Sequence, residues 1–305
     1  MKRLNLKVGF LISKDLGKIL LEKLHIFFKV NNIIVFHPND KFDERSKFFK
    51  IKEFCKNKNI KFKFSRSKKN FSSQIDKEKL DVIFCSNWYY IIDKKILYNL
   101  SDGAYGIHPS LLPKYKGGSP LSHSIINGDK TIGTTFFKFN ENVDSGPIID
   151  QFKFKLPRNK NIKNALTIIE KYYEKNLKKI FTKIIRKEYL KINNKSKNKI
   201  YKIRNKKDNW INFTKSSNEI YNFIRAISYP YPGALMKINN QKIIIDECIQ
   251  IKDKIKLIVG KIYMIKKDKK LVLSCRNKNL LEITKLRNMN RNNFKNKFKN
   301  AIKYI

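Results

Sequence analysis

The sequence predicts an α/β protein: a Rossmann-like, mostly parallel sheet with helices on both faces, followed by a small C-terminal β-barrel (OB-like) domain. The first half alternates short apolar runs with amphipathic helical patterns, which is typical of βαβ units. The C-terminal third instead carries short apolar runs separated by polar residues, which is typical of a small all-β domain. A length of 305 residues accommodates both domains.

The strands and helices of the first domain are expected in alternation along the chain. Strands are predicted over residues 6–13, 32–37, 60–64, 80–86, 104–108, 131–139 and 148–156. Helices are predicted over residues 16–30, 43–58, 92–100, 118–127 and 162–188. In open sheets of this kind the ligand crevice lies beyond the carboxyl ends of the strands. We therefore expect functional residues where these strands end.

The sequence predicts a first domain over residues 1–188, a linker over 189–208 and a β-barrel domain over 209–305. A charged low-complexity stretch over residues 193–199 indicates an exposed linker. After it, a helix over 218–227 is expected to end in a turn forced by two prolines and a glycine. Short strands are then predicted over residues 234–238, 242–245, 257–265, 271–274 and 280–283.

The chain is strongly basic, with 68 Lys+Arg against 25 Asp+Glu and a net charge of +43. Such a charge is typical of proteins that bind nucleic acid. The lysines are nevertheless spread along the whole chain, and Lys, Asn, Ile and Phe share AT-rich codons, so compositional bias is the favoured explanation. Whatever its origin, the charge would attract a phosphate-bearing substrate and make its binding depend on salt.

Hydropathy and cysteine spacing restrict the class of protein further. No run approaches 18 uncharged apolar residues, so we expect no membrane-spanning helix, and residues 8–12 are too short for a signal peptide. We therefore expect a cytoplasmic protein. The four cysteines are scattered and have no metal-site spacing. Reduced, mostly buried thiols and the absence of a metal are the expectation.

The most informative stretch is residues 108–118 (HPSLLPKYKGG), followed by residues 143–146 (VDSG). His108 ends a predicted strand and enters a turn restrained by two prolines. Imidazole has an unperturbed pKa near neutrality and can shuttle protons without large tuning. Asp144 has two interpretations: a carboxylate that orients His108 and favours its protonated form, or an ordinary turn aspartate. Spacing alone leaves both open.

These motifs resemble the core signature of the methionyl-tRNA formyltransferase-like family, whose members use N10-formyltetrahydrofolate as formyl donor. The resemblance is carried by residues 108–117 (HPSLLPKYKG), 126–130 (INGDK), 133–135 (GTT) and 143–146 (VDSG). A weaker second match, residues 210–234, is similar to the start of the C-terminal barrel shared by the tRNA and sugar enzymes of the family. The resemblance implies a formyltransferase catalytic domain over residues 1–188 that transfers a formyl group to a primary amine.

In that family an Asn-x-His pair and a later Asp form the catalytic triad. His108 and Asp144 match, but Gly106 stands at the position of the asparagine and offers no side-chain donor. Three explanations are open. Asn87, Ser110 or Asn127 supplies the missing donor; or the enzyme works with a weaker oxyanion hole; or the protein is a non-catalytic binder of folate or of a nucleotide sugar.

The resemblance also implies where the two substrates bind. The donor would lie against a loop after the predicted strand 80–86 and against the loop that precedes Asp144, contacted by Trp88, Tyr89, Tyr90, Ile91, Glu141, Asn142 and Val143. The aromatic residues of this set are equally well explained as core residues. The acceptor would contact Ser110, Lys114 and Gly117.

The acceptor amine is inferred from the segment after the second strand. The tRNA enzymes carry a Gly- and Arg-rich basic insertion there, whereas residues 36–45 contain no glycine and have mixed charge. The turn over residues 229–233 (YPYPG) also resembles the sugar enzymes. We therefore favour a nucleotide-linked amino sugar as the acceptor, with methionyl initiator tRNA as the alternative. The oligomeric state is left open.

Overall fold

The computed structural model describes residues 4–190, 199–254, 257–265, 270–276, 279–298 and 302–304. Residues 191–198, which include most of the charged stretch over 193–199, lie outside this set. The described chain forms two compact units. The first consists of Met1–Pro120, Gly133–Phe154 and Thr167–Tyr201, and the second of Leu121–Ile132, Lys155–Leu166 and Lys202–Ile305. Two short segments of the predicted first domain thus belong to the second unit, and the domain boundaries at 188 and 209 stay a prediction.

The N-terminal half alternates strands and helices. Its elements are β1 (Val8–Ile12), α1 (Lys14–Leu24), β2 (Ile33–Pro38), α2 (Phe48–Asn57), β3 (Lys61–Ser65), α3 (Lys68–Asp76), β4 (Val82–Ser86), α4 (Lys94–Tyr98), β5 (Gly103–His108), β6 (Lys116–Gly117), α5 (Pro120–Ile126), β7 (Thr131–Lys138), β8 (Ile148–Lys155), α6 (Ile162–Ile185) and β9 (Ile200–Tyr201). Helix α1 ends earlier than predicted, because a 3-10 turn over His25–Phe27 follows it and Phe28 is extended.

The first unit contains a seven-stranded sheet in the described chain, with strand order β3-β2-β1-β4-β5-β7-β8. The five strands from β3 to β5 are parallel, and β7 pairs with β5 in the antiparallel direction. The predicted mostly parallel, Rossmann-like sheet is confirmed. Since β1, β4 and β5 are neighbours and parallel, their carboxyl ends meet at one edge of the sheet.

Helices cover both faces of this sheet. Successive side chains of a strand point to opposite faces, and Ile83 and Phe84 of β4 illustrate the two cores. Ile83 belongs to a buried cluster with Phe71 of α3. Phe84 stacks on Phe10 at 5.6 Å between ring centroids and lies 6.0 Å from the ring of Phe181 in α6.

The second unit contains the remaining elements: α7 (Ser217–Ile227), β10 (Ala234–Ile238), β11 (Gln241–Lys254), β12 (Ile262–Ile265), β13 (Lys270–Ser274), β14 (Asn279–Leu286), α8 (Arg291–Lys297) and β15 (Lys303–Tyr304). The strands form a sheet of order β10-β11-β14-β13-β12-β15 in the described residues, antiparallel except for β12 with β15. The predicted C-terminal β domain is confirmed. Helix α7 starts with a capping box in which Ser216 and Glu219 bond each other's backbone N–H.

None of the helices in the described parts of the chain is long and apolar enough to cross a bilayer.

We predict that Phe84→Ala lowers the free energy of unfolding by about 3–5 kcal/mol, because it leaves a cavity among four aromatic rings, those of Phe10, Phe28, Tyr105 and Phe181. Phe49→Ala is the matched control, since the Phe49 side chain is 82% exposed and surface substitutions change stability by about 0.5 kcal/mol or less. Urea denaturation of both variants checks this. Equal midpoints for the two would contradict the assignment of Phe84 to the core.

Candidate active site

The candidate site lies at the carboxyl edge of the first unit's sheet. Cys85 of β4 pairs with Gly106 of β5, so the ends of these strands lie side by side. His108 is the last residue of β5 and pairs with Thr135 of β7. This is the edge at which parallel sheets hold their ligands.

His108 and Asp144 come together there. His108 Nδ1 lies 3.5 Å from Asp144 Oδ2, and His108 Nε2 lies 2.8 Å from the carbonyl oxygen of Tyr115. The backbone N–H of Gly117 donates to Asp144 Oδ2 at 2.7 Å. His108 is buried and Asp144 is partly exposed. The imidazole therefore has an oxygen acceptor at each nitrogen, and the carboxylate is held by a backbone donor.

The hairpin loop between β7 and β8 positions Asp144. Asp144 adopts a left-handed backbone with φ of 46°, a conformation that aspartate tolerates better than most residues. A Cβ at Gly146 would lie 1.7 Å from the carbonyl oxygen of Lys138, so only glycine lets the loop close. The local sequence DSG thus allows the turn that returns the carboxylate toward β5.

Strand β7 fixes the turn that follows His108. Thr135 Oγ1 donates to the Ser110 carbonyl at 2.7 Å and accepts from the Leu112 N–H at 3.1 Å. Thr134 Oγ1 donates to the His108 carbonyl at 3.2 Å. Sequence reasoning did not assign these threonines, although both belong to the GTT motif quoted for the resemblance.

The structure places the predicted acceptor residues on this same turn and the loop after it. The Ser110 hydroxyl is buried and donates to the Lys114 carbonyl at 2.7 Å. The Lys114 side chain is exposed, and Gly117 lies beside Asp144. The Lys114 side chain is therefore open to solvent, whereas the Ser110 hydroxyl holds the turn and the Gly117 N–H is engaged by Asp144.

Gly106 is enclosed by an aromatic ring. A Cβ at Gly106 would lie 2.6 Å from Phe139 Cε1 and 3.0 Å from the Cys85 carbonyl oxygen. Phe139 stacks on Phe137 with 4.8 Å between centroids. In this chain the absence of a side chain at position 106 is therefore coupled to the packing of Phe139, which sequence reasoning did not identify.

The three residues considered as replacement donors lie in different settings. Asn87 follows β4 with φ of 55° and accepts a 3.4 Å hydrogen bond from the Ser86 hydroxyl. Ser110 donates its hydroxyl proton to Lys114, as described above. Asn127 lies just after α5, in the second unit. Of the three, Asn87 stands at the end of the strand that neighbours β5.

Residues 88–91, predicted to contact the donor, divide between core and surface. Trp88 and Tyr90 pack against Phe71, at 4.8 and 6.3 Å between centroids, so both contribute to the core. The Trp88 Nε1 is buried and finds no partner among the described residues. The Tyr89 hydroxyl donates to Asp43 at 3.0 Å. Ile91 is 71% exposed.

The loop that precedes Asp144 is tied to α4. Glu141 accepts hydrogen bonds from the Tyr98 hydroxyl at 3.1 Å and from Lys94 Nζ at 3.4 Å. The Tyr98 hydrogen bond and then Lys94 lower the pKa of Glu141. The Asn142 N–H donates to the Asn140 side chain, and Val143 keeps 41% of its surface exposed. This loop and the loop over 88–91 therefore flank the same edge.

A charged cluster closes the far side of the edge, where β1 and β2 end. Lys14 Nζ lies 3.1 Å from Asp43 Oδ2 and 4.7 Å from the centre of the Tyr89 ring. Arg45 donates to both Asp43 oxygens. Burial, followed by the Arg45 charge, lowers the pKa of Lys14 to about 8. Burial acts to raise the pKa of Asp43, but the Arg45 hydrogen bond and Lys14 hold that pKa well below its ordinary value.

The described residues contain no group of three or more His, Cys, Asp or Glu that could hold a metal ion. Burial raises the pKa of the Cys85 thiol, and the nearby Asp144 carboxylate adds to the rise. Cys85 is therefore a neutral thiol beside the candidate pair.

Residues 7–184 match the family described as formyl transferase, and residues 203–299 match the formyl transferase C-terminal domain. The first match alone covers more than half of the chain. This protein belongs to the formyl transferase family. The resemblance noted from the sequence motifs is thereby confirmed, and the two matched regions follow the same order along the chain as the two predicted domains.

Two curated relatives and one solved structure illustrate the likeness. The chain is 31% identical over 224 residues to the bifunctional polymyxin resistance protein ArnA of Wigglesworthia glossinidia brevipalpis, covering 72% of this chain and 34% of ArnA. It is 31% identical over 184 residues to methionyl-tRNA formyltransferase of Wolbachia sp. subsp. Drosophila simulans (strain wRi), covering 60% of this chain and 58% of the relative. The matches thus span about a third and just over half of these relatives.

The fold is shared with WlaRD, a sugar 3N-formyl transferase whose crystal structure was determined in the presence of dTDP and 5-N-formyl-THF. The TM-score is 0.68 at 23% identity, over 94% of this chain and 100% of WlaRD.

We predict that Gly106→Asn destabilises the first unit by about 1–3 kcal/mol, because the new side chain overpacks against Phe139. Phe139→Leu should relieve part of that cost, so the double variant is expected to be more stable than the sum of the single effects implies. Chemical denaturation of the four proteins measures this coupling. Strict additivity would show that Phe139 does not restrict position 106.

We predict that Lys14→Met changes the pH dependence of stability. Folded Lys14 loses its proton near pH 8, whereas the unfolded chain keeps it to about pH 10.5, so the unfolded state binds more protons between these values. The stability of the wild type relative to Lys14→Met therefore rises with pH across this window, by about 3 kcal/mol at most.

Unfolding free energies at pH 7.5 and 10.5 check this prediction. The exposed Lys95→Met variant controls for general loss of positive charge. A wild-type advantage that falls with pH would contradict it.

Proposed function

We propose that this chain transfers a formyl group from N10-formyltetrahydrofolate to the primary amine of a nucleotide-linked amino sugar. The observation that carries the proposal is the approach of His108 Nδ1 to Asp144 Oδ2 at 3.5 Å, at the sheet edge where ligands bind. Membership of the formyl transferase family supports the reaction class.

In this proposal His108, oriented by Asp144, transfers the protons of the reaction. The donor, when bound, supplies an electrophilic formyl carbon and a nitrogen leaving group. The acceptor nitrogen must lose a proton when its bond to that carbon forms, and the leaving nitrogen must gain one. A positioned base of this kind contributes about 10²–10⁴-fold to the rate. Asp144, fixed by the Gly117 N–H, orients the His108 ring through the 3.5 Å approach of Oδ2 to Nδ1.

The residues present fit the donor. The two loops at the sheet edge carry the exposed apolar side chains of Ile91 and Val143 and the buried Nε1 of Trp88, which has no hydrogen-bond partner among the described residues. Apolar walls with a few polar groups are typical of ligand pockets. We propose that backbone groups of Tyr89 and Tyr90 on one loop, and of Glu141 and Asn142 on the other, complete this pocket.

We propose Asn87 as the residue that replaces the missing amide. Its strand ends beside β5, and a side-chain amide can donate a hydrogen bond to the oxygen that gains charge during transfer. Such a donor is worth about 3–4 kcal/mol of barrier. Ser110 is less suited, because its buried hydroxyl already donates to the Lys114 carbonyl.

Two observations support an amino-sugar acceptor. The likeness to WlaRD covers nearly the whole of both chains. In addition, Arg45, the only arginine of residues 36–45, donates its Nε and Nη2 to Asp43. The one arginine of this segment is therefore paired with a carboxylate of the same segment. Lys114 and Gly117 are proposed to contact the acceptor, with the exposed lysine facing its phosphates.

Methionyl initiator tRNA is the second candidate acceptor. The net charge of +43 favours any polyanion, because binding releases counterions from the phosphate backbone. The identity to the Wolbachia methionyl-tRNA formyltransferase points the same way.

We predict that the purified chain formylates an amino-sugar nucleotide when incubated with N10-formyltetrahydrofolate, as detected by a formyl mass increase. The panel contains several amino-sugar nucleotides and charged initiator tRNA. His108→Ala and Asp144→Asn should each lower turnover by about 10²–10⁴-fold, because each removes a partner of the proton-transfer pair. The exposed Asp76→Asn variant is the control.

Three results would contradict parts of this assignment. Intact turnover in His108→Ala would exclude the proposed chemistry for any acceptor. Formylation of charged tRNA alone, with binding that weakens steeply between about 50 and 200 mM salt, would assign the tRNA function. Absence of turnover in the wild type and in Gly106→Asn/Phe139→Leu, with folate still bound, would assign a binding-only role.

A further inference from the structure

A short strand lies beside the loop that contacts His108 and Asp144. Strand β9 (Ile200–Tyr201), here called the strap, pairs in parallel with Lys116 and Gly117 of β6. The N–H of Gly118 donates to the Tyr201 carbonyl at 2.7 Å. The rings of Tyr115 and Tyr201 lie 5.4 Å apart. The strap therefore contacts the loop over residues 115–118 through both backbone and ring.

The loop under the strap has an unusual backbone. Tyr115, Gly117 and Ser119 have φ of 57°, 92° and 52°. Left-handed conformations of residues other than glycine are costly and persist only where surrounding contacts determine them. The strap supplies such contacts at Tyr115 and Gly118. A Cβ at Gly117 would lie 2.3 Å from the Tyr201 carbonyl, so the approach of the strap also requires glycine there.

The same loop holds both members of the candidate pair. The carbonyl of Tyr115 lies 2.8 Å from His108 Nε2, and the N–H of Gly117 donates to Asp144 at 2.7 Å. A change in the backbone of this loop would therefore turn the imidazole and move the carboxylate. The His108–Asp144 geometry depends on the loop, and the loop depends on the strap.

We infer that the strap is a positioning element of the active site, and that Tyr201 is its positioning residue. Tyr201 acts through the Tyr115 ring and through the backbone of the loop at Gly118. The catalytic part of this inference rests on the proposed function. The structural part does not, because the orientation of the His108 ring can be observed without turnover.

The test compares Tyr201→Ala, Tyr201→Phe and the wild type in the full chain. Removal of the Tyr201 ring should lower kcat by about 10–100-fold, since a misplacement of about 1 Å costs that much. The KM for N10-formyltetrahydrofolate should change by less than about threefold, because the ring packs on Tyr115, outside the proposed donor loops. The pH profile of kcat/KM should shift, because the environment of His108 changes. Tyr201→Phe keeps the ring and should restore kcat to within about twofold.

A second readout separates this inference from the proposed function. Histidine-labelled protein gives ¹⁵N signals for four histidines, and His108→Gln assigns the signal of His108. Tyr201→Ala should move that signal, and Tyr201→Phe should leave it near its wild-type position. If the wild type transfers no formyl group to any acceptor, the proposed function fails, and this signal still decides the role of the strap.

Two further variants serve as a negative control and as an independent test of the loop. Ile203→Ala, at an exposed site two residues beyond the strap, should leave kcat and the His108 signal unchanged. Gly117→Ala separates the loop from the strap with Tyr201 intact, and it should change the signal even if Tyr201→Ala does not fold. An unmoved His108 signal in folded Tyr201→Ala or Gly117→Ala, or a kcat equal to that of the wild type, would overturn the inference.

Discussion

The hydrogen bond from the Gly117 N–H to the Asp144 carboxylate is the constraint on which the candidate site depends. It joins the turn after β5 to the hairpin loop between β7 and β8 across 2.7 Å. A charge-assisted bond from a backbone donor is short and directional. It therefore sets the position of Asp144 relative to His108. Contacts that change the backbone of residues 115–118 therefore change the geometry of His108 and Asp144. The strap makes such contacts.

The departure at Gly106 is a change in packing as well as a lost donor. The Phe139 ring lies where a Cβ at position 106 would fall, and it also packs against buried clusters on its other sides. Restoration of an asparagine would thus have to displace an aromatic ring from a close-packed region. An apolar wall beside the reacting groups excludes water and strengthens the remaining electrostatic contacts. The site proposed here therefore relies more on His108, Asp144 and Asn87.

The charged cluster at the ends of β1 and β2 shows how a crevice wall is built from polar groups. One carboxylate, Asp43, accepts hydrogen bonds from Arg45 and from the Tyr89 hydroxyl and pairs with Lys14. Burial of one uncompensated charge would be costly, and pairing reduces that cost. Through Tyr89 the cluster is fixed to one of the loops proposed to hold the donor. The segment after β2 is consequently held against the sheet.

Local patterns in the sequence predicted the Rossmann-like sheet and the C-terminal β domain, and the resemblance of short motifs to the family singled out His108 and Asp144. These predictions follow from hydrophobic period, turn residues and separate short motifs, each of which lies within a short window of sequence. Helix α3 was missed because only Phe71 and Ile75 of its polar sequence are buried. The prediction for α1 was too long because the chain tightens into a 3-10 turn and becomes extended at Phe28. Only the tertiary structure decided that Phe139 covers Gly106 and that Tyr201 overlies the loop beside Asp144. Such contacts join residues far apart in the chain. The sequence around Phe139 or Tyr201 has no local pattern from which its contact could be predicted.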